Sequence, residues 1–221
     1  LNLPTTPIND LIIAHDDVIV ATSGRSFWVL DDLELLRQYD AENTALKVFQ
    51  PADVMLVSGG SQLDGNGSDG TNPLTGVNPA SGAVIYYQLP ASEENEVVAL
   101  EIKNEKGELV HRITSEKDKN HQFYAGGPPA KPTLGKSKGL NRFVWDLRYP
   151  IMKGAPTAYI ERSFRGHKVI PGTYSRTLKS GEQTSTTKVV IKANPHYGTK
   201  MAQYEAYHEF MQSAEANLNE M

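Results

Sequence analysis

The sequence predicts a mainly β protein that ends in an α-helix, and two stretches carry most of the β prediction. In residues 139–148, polar and apolar side chains alternate, so Phe143, Trp145 and Leu147 share one face of a strand. Two aromatic side chains on a single face indicate a core face. In residues 170–174, a Pro-Gly pair predicts a turn, and the Thr-Tyr that follows predicts the start of a second strand.

The middle of the chain, residues 41–195, is predicted to be an Ig-like β-sandwich. It contains about seven strand-like segments, which is the number and spacing that this architecture shows. The segments are residues 46–49, 83–89, 96–103, 108–114, 140–148, 173–178 and 186–192. Two polar stretches rich in Gly, Pro, Ser or Lys, residues 58–82 and 115–138, are predicted to be long, mobile loops.

Residues 1–40 are predicted to form part of a β-propeller blade. Three short apolar segments, residues 8–14, 18–22 and 26–30, are separated by polar turns. A short helix follows at residues 33–39, with Asp32 as its expected N-cap. A single blade cannot bury both of its faces alone, so neighbouring blades are expected to cover it.

Residues 196–221 are predicted to contain an amphipathic helix. Apolar residues recur at steps of three and four over residues 201–221, and Thr199 precedes them as a plausible N-cap. The stripe comprises Met201, Tyr204, Tyr207 or His208, Met211, Ala214, Leu218 and Met221. The unpaired blade strands and this stripe predict that the chain either folds the strands onto its own sandwich or self-associates through them or through the helix, and self-association is the preferred interpretation. The chain is expected to be a piece of a longer protein in which the helix continues.

Composition excludes several kinds of function. The net charge of −4 argues against a nucleic-acid surface, and no apolar run approaches the length of about 18 residues that predicts a membrane span. The chain has no cysteine, which removes disulfides, thiolate metal sites and cysteine nucleophiles together. No cofactor is predicted.

One segment has the side chains of a weak calcium site. Asp64, Asn66 and Asp69 place oxygen atoms along a glycine-rich stretch, as calcium loops do. The segment departs from an EF-hand, because Asp69 stands where glycine is needed and Thr75 where a bidentate Glu belongs. A polar loop without a metal is the preferred interpretation.

The chain shows no catalytic constellation in its sequence. The adjacent carboxylates Asp16-Asp17 and Asp31-Asp32 would point to opposite faces of a strand, so turn and capping roles are expected for them. The six histidines form no ligand motif and are expected to be single surface residues. The isolated chain is therefore predicted to be catalytically inert.

Exposed aromatic residues are the basis of the alternative function, binding of a glycan or a peptide. Strand alternation puts only one of Tyr86 and Tyr87 in the core. The other aromatic candidates are Phe123, Tyr124, Tyr149 and Tyr159. Packing of these rings beneath loops or against the helix is the preferred interpretation, because scattered surface aromatics are common.

Several motifs in order resemble a known family. Residues 7–11 and 21–32 resemble the last propeller blade of bacterial sortilin-like BNR-repeat proteins, which often carry a glycosyl hydrolase label. The later segments that follow the family's order are residues 82–87, 140–150, 171–174 and 194–195. The strands around Trp145 and Tyr174 also resemble the Ig-like module of flagellar hook-capping proteins. The Asp-box pattern is not intact at residues 22–28, so the hydrolase label gains no support from this segment.

The resemblance implies a non-catalytic accessory module of an extracytoplasmic, periplasmic or secreted protein. Its expected partners are the rest of its own propeller and a C-terminal helical region, and any glycosidase carboxylates would lie outside this chain. The residues expected to hold the module together are Trp28, Phe143, Trp145, Leu147, Gly172 and Tyr174. Gly172 is expected to adopt a positive φ in a type II turn.

Overall fold

The computed structural model describes residues 3–57, 80–90, 96–153, 159 and 163–220. Within these ranges the chain is mainly β and ends in an α-helix, so the prediction of a mainly β chain with a C-terminal helix is confirmed. One sheet curls like half a barrel, which the sequence did not predict. Eleven strands form three sheets in the described ranges. The strands are β1 (Ile8–Ala14), β2 (Asp17–Thr22), β3 (Phe27–Leu30), β4 (Lys47–Val48), β5 (Val54–Leu56), β6 (Ala83–Leu89), β7 (Val98–Lys103), β8 (Leu109–Thr114), β9 (Gly139–Trp145), β10 (Gly172–Ser180) and β11 (Gln183–Ala193). The helices are α1 (Leu33–Gln38), a short 3-10 turn (Pro195–Tyr197) and α2 (Met201–Glu220).

The N-terminal sheet consists of β1, β2 and β3 in an antiparallel meander. Tight turns join its strands, as the polar segments between them predict. Helix α1 follows, but the prediction that Asp32 caps it is wrong. Asp32 has a left-handed backbone, and the amide of Glu34 donates instead to the Asp16 carboxylate, from the turn between β1 and β2.

The main β-domain, residues 46–193, contains the other two sheets. One has the strand order β5-β11-β10-β7-β8 and the other the order β4-β6-β9. Strand β5 is absent from the sequence prediction, because three residues are too few to show a period. It pairs in parallel with the end of β11, next to the core position Ile191.

Both sheets of the main β-domain contribute to one hydrophobic core. Trp145 at the end of β9 is 1% exposed, and its ring meets Tyr174 of β10 edge-on, with 5.8 Å between centroids. Leu147 and Tyr174 are buried, and Phe143 packs against the core while half-buried. Burial of these side chains supplies much of the free energy that joins the two sheets.

The chain leaves β9 sooner than the alternating pattern predicts. The strand ends at Trp145 rather than Arg148, and Leu147 has a φ of 59°. The indole Nε1 of Trp145 donates to the carbonyl of Arg148 at 3.0 Å, which closes a turn beneath the ring. Leu147 therefore reaches the core from this turn and not from the strand face.

Gly172 has a positive φ, but the predicted type II turn is wrong. Its φ is 156°, far from the value of about 80° that the second central residue of that turn adopts. It is instead the first residue of β10, paired with Ile191. A side chain there would find ordinary contact distances, 3.8 Å to Glu105 Oε1, so the backbone conformation alone favours glycine.

Candidate functional site

The N-terminal sheet is apolar on both of its faces. The strand register places Leu11, Val20 and Trp28 in one cross-strand row, and Ile13, Val18 and Leu30 beside them on the same face. The opposite face carries the row of Ile12, Ile19 and Val29, next to Ala21 and Phe27. A sheet with one face in water normally alternates apolar and polar residues, and this sheet does not.

Large apolar side chains on both faces are open to solvent. Exposure is 55% for Leu11, 51% for Ile12 and 59% for Ile13, so neighbouring residues of β1 are open on opposite sides. On β3, Phe27 is 73% exposed. Trp28 is half-buried, and its indole Nε1 donates to the carbonyl of Arg25 at 2.8 Å. Contiguous exposed apolar surface of this kind marks an interaction site.

Asp16 fixes the N-terminal sheet to helix α1. Its Oδ2 accepts the amide of Glu34 at 3.0 Å, and its backbone carbonyl accepts the amide of Leu33 at 2.9 Å. Arg37 adds an ion pair to Asp16 Oδ1 at 2.6 Å. The expected turn and capping roles of the carboxylates hold for Asp16, although the helix that it caps begins seventeen residues further along the chain, at Leu33.

Tyr86 and Gln38 join the N-terminal part to the main β-domain. The hydroxyl of Tyr86, on β6, donates to Asp32 Oδ2 at 2.8 Å. Gln38 exchanges two hydrogen bonds with the backbone of Gln50, at 2.9 and 2.8 Å. Burial, with the neighbouring Asp32 as a second cause, raises the pKa of the Tyr86 phenol, which keeps this donor protonated at neutral pH.

A cavity of about 490 Å³ lies at this junction. Its polar lining is mostly acidic, and Tyr86 and Lys168 also face it. The carboxylates are Asp16, Asp32, Glu34, Asp53 and Asp146. Among the described residues no cluster of three or more ligating side chains could hold a metal ion. The amine of Lys168 donates to the carbonyl of Val57, so part of the lining is already paired.

The predicted weak calcium residues Asp64, Asn66 and Asp69 lie outside the described residues. So does most of the predicted loop at 58–82. The predicted loop at 115–138 is irregular apart from a short bridge between Thr114 and Thr133, and Leu134 is buried in the core.

Tyr86 and Tyr87 lie on opposite faces of β6, as strand alternation predicts. Tyr87 is fully buried and donates to the carbonyl of Gly135 at 2.7 Å, whereas Tyr86 faces the junction. Two loop aromatics are open to solvent, Phe123 at 86% and Tyr159 at 70% exposure. The Tyr159 ring lies directly on Gly126, whose added Cβ would come within 2.3 Å of it.

The expectation that all histidines are single surface residues is wrong for His167. This side chain is buried, and its Nε2 lies 2.8 Å from Nδ1 of His208 on α2. Glu215, two helical turns after His208, approaches the other ring nitrogen of His167 at 2.9 Å. Forty-one residues separate the two histidines, so no local spacing in the sequence could have shown the pair.

Comparison of the chain with protein-family models, with curated proteins and with solved structures gave no match. None of the helices in the described ranges is both long and apolar enough to cross a bilayer.

Proposed function

We propose that this chain is a non-catalytic structural module in which the N-terminal sheet is one layer of a larger β-structure. The observation that carries this proposal is the sheet with two apolar faces. Leu11 and Ile13 on one face and Ile12 on the other are each more than half exposed. Burying such side chains is worth about 1.5–3 kcal/mol each, so both faces have much to gain from a covering layer.

A propeller blade is the layer that fits this sheet best. Blades are antiparallel meanders packed face to face around an axis, so both faces of each blade are covered by neighbours. The meander of β1, β2 and β3 has that form, and residues 7–11 and 21–32 carry the resemblance to the last blade of sortilin-like BNR-repeat proteins. The partner in this proposal is the rest of the same propeller, and the protein is extracytoplasmic, as in that family.

An Ig-like sandwich is the architecture that we propose for the main β-domain. One of its sheets consists of the first, third and sixth of its eight strands, β4, β6 and β9. The other sheet consists of β5, β11, β10, β7 and β8. Ig-like domains divide their strands between sheets in a comparable way. Tyr174, near the start of β10, donates its hydroxyl to the carbonyl of Ile170 at 2.8 Å. This bond supports the assignment, because a tyrosine corner of this kind recurs in that architecture.

Lysine substitutions on the two faces test the layer proposal. Leu11→Lys and Ile12→Lys each place a charge on one face, and both should lower the soluble yield and melting temperature of the full-length gene product. The same substitutions should leave the stability of the 221-residue chain unchanged, because both side chains are exposed there.

Leu109→Lys is the matched control, since Leu109 lies on the edge strand β8 and is 54% exposed. It should be harmless in both proteins. A full-length protein that tolerates Leu11→Lys or Ile12→Lys as well as Leu109→Lys would refute a sheet covered on both faces.

Glycan binding is a second candidate, favoured by the loop aromatics. Tyr159 is backed on one side by Gly126 and is largely open on its other side, which suits stacking on a sugar ring. Phe123, three residues before Gly126, is also open. Tyr159→Ala and Phe123→Ala should abolish any binding found on a glycan array, while Tyr39→Ala, at an exposed aromatic of another segment, should not.

A further inference from the structure

Helix α2 is attached to the main β-domain mainly through polar contacts. None of its twenty described residues is buried, and Tyr204 is the residue that packs against the edge of the hydrophobic core. One helical turn further, His208 and then Glu215 contact His167. Near the end of the helix, Asn219 Oδ1 accepts the amide of Lys153 at 2.8 Å. A helix held in this way depends on its hydrogen bonds more than on apolar burial.

The centre of the attachment is a chain of four side chains, the His167 cluster: Tyr149, His208, His167 and Glu215. His167 Nε2 lies 2.8 Å from His208 Nδ1, and its Nδ1 lies 2.9 Å from Glu215 Oε2. The contact to Glu215 is an ion-pair contact and not an aligned hydrogen bond. The same carboxylate also accepts the backbone amide of His167, at 2.6 Å. The Tyr149 ring stacks on His167 with 4.3 Å between centroids.

The cluster can satisfy its contacts with no added proton. His167 then places Nδ1–H toward Glu215 and accepts at Nε2 from Nδ1–H of His208. The remaining nitrogen of His208 faces the hydroxyl of Tyr149 at 3.5 Å. The opposite tautomer of His167 would turn a lone pair toward the carboxylate, which is unfavourable.

The cluster can also take up one proton without losing its connections. An imidazolium at His167 has N–H on both nitrogens, one toward Glu215 and one toward the lone pair of His208 Nδ1. A second proton cannot be accommodated in the same way. If both histidines are cationic, two N–H groups face each other across 2.8 Å, so the hydrogen bond becomes a repulsion.

The groups around His208 act on its pKa in opposite directions. Burial and the neighbouring His167 lower the pKa of His208, while the carboxylates of Glu108, Glu209 and Glu215 act against that shift. Tyr207 of the same helix faces His167 edge-on. A third histidine, His111 of β8, contacts the carbonyl of Arg148, beside Tyr149. Burial lowers the pKa of His111 too. A test of pH dependence at His208 must therefore include a variant of His111.

We propose that the His167 cluster is a pH-sensitive clasp, which holds α2 on the main β-domain at neutral pH and releases it when both histidines are protonated. Because the pKa of His208 is lower in the docked helix than in the free chain, the undocked state binds more protons below about pH 6.5. Docking is therefore most stable above that pH and weakens as the pH falls below it. Each pH unit in that window can change the docking equilibrium by up to about tenfold.

Hydrogen exchange of the α2 amides between pH 7.5 and 5.0 tests the clasp. Expressed as protection factors, which remove the intrinsic pH dependence, the amides of residues 204–216 should lose about tenfold protection. Strands β6, β7 and β10 should keep theirs. His208→Asn keeps a hydrogen-bonding group near the position of Nδ1 but does not titrate, so this variant should lose most of the pH dependence.

His196→Asn and His111→Asn are the controls, and both should behave as the unsubstituted chain does. Protection of α2 that does not change with pH would overturn the proposal, and so would an equal loss in His208→Asn. If α2 is unprotected at both pH values in His208→Asn, the same hydrogen-exchange measurement on Glu215→Gln decides whether the clasp exists. Without the Glu215 carboxylate, the first proton taken up by the two histidines already opposes docking, so α2 should be released at a higher pH. An unchanged pH midpoint of release would overturn the clasp.

Discussion

The indole of Trp145 meets the ring of Tyr174 edge-on, with 5.8 Å between their centroids and 65° between their planes. This pair joins β9 of one sheet to β10 of the other at the centre of the core. Both side chains are buried, and each also closes a local turn by donating a hydrogen bond to a nearby carbonyl. The stability of the main β-domain should therefore be sensitive to either residue.

Trp145→Ala should lower the free energy of unfolding by about 3–5 kcal/mol, because it removes the largest buried side chain and leaves a cavity. Chemical denaturation of the 221-residue chain measures this. Trp28→Ala, in the N-terminal sheet, is the comparison and should change the unfolding of the main β-domain by less than about 1 kcal/mol. Equal effects of the two substitutions would contradict the position of the core.

Gly82→Ala should be more damaging than Gly107→Ala, although both glycines have positive φ. A Cβ at Gly82 would come within 2.2 Å of the Trp145 carbonyl oxygen, which is backbone and cannot move aside. At Gly107 no described atom lies within 4 Å, so only the conformational cost of about 1 kcal/mol remains. Thermal unfolding of the two variants separates steric clash from backbone strain, and similar melting temperatures would argue against the close approach.

Arg176→Met should stabilise the protein by about 1–2 kcal/mol. The guanidinium is fully buried and donates to the carbonyl of Phe49 at 3.1 Å, but within the described part of the chain its Nε and Nη1 lack hydrogen-bond partners. Burial lowers the pKa of Arg176 to about 10, so the unfolded chain holds this proton more tightly than the folded chain does.

The penalty from this buried charge is present at neutral pH and is relieved as the pH rises above 10. Urea denaturation at pH 7 measures the gain, and Arg112→Met, an exposed arginine on β8, should change stability by less than about 0.5 kcal/mol. A loss of stability in Arg176→Met would mean that the bond to Phe49 outweighs the desolvation of the charge.

Tyr86→Phe should loosen the N-terminal sheet without unfolding the main β-domain. It removes the 2.8 Å hydrogen bond to Asp32, and a bond to a carboxylate is worth about 1.5–3 kcal/mol. Protease cleavage within residues 31–46 should become at least about ten times faster, because each 1.4 kcal/mol lost at the junction changes the opening equilibrium about tenfold. Tyr39→Phe, within the same segment, should leave the cleavage rate unchanged, and equal rates in both variants would count against this anchor.

Local patterns predicted much of this fold. The bounds of β1 and β6 match the predicted segments to the residue, because both strands lie between clear turn signals. The end of β9 could not be predicted, since Leu147 continues the alternating pattern while its backbone already turns. The cap of α1 was also hidden, because Asp16 is distant from that helix in the sequence.

One candidate site could be predicted from local sequence patterns and the other could not. The apolar character of β1 to β3 is visible in the sequence, and the register only adds which residues share a face. The His167 cluster is different, because it joins an irregular segment to a helix through tertiary structure. His208 belongs to the helical stripe, but nothing near His167 in the sequence indicates a buried residue.

Thiol labelling of single cysteines on the two faces of the N-terminal sheet tests whether both faces are covered in the full-length protein. The chain contains no cysteine, so Leu11→Cys and Ile12→Cys each report one face, and Leu109→Cys reports a free surface. In the 221-residue chain, labelled at a dilution that keeps it monomeric, all three should react with a maleimide at similar rates. In the full-length gene product, labelling is measured on the peptide that contains each introduced cysteine. Cysteines at positions 11 and 12 should both be protected from the maleimide, while the cysteine at position 109 still reacts. Labelling of either residue 11 or residue 12 as fast as residue 109 would contradict a sheet covered on both faces.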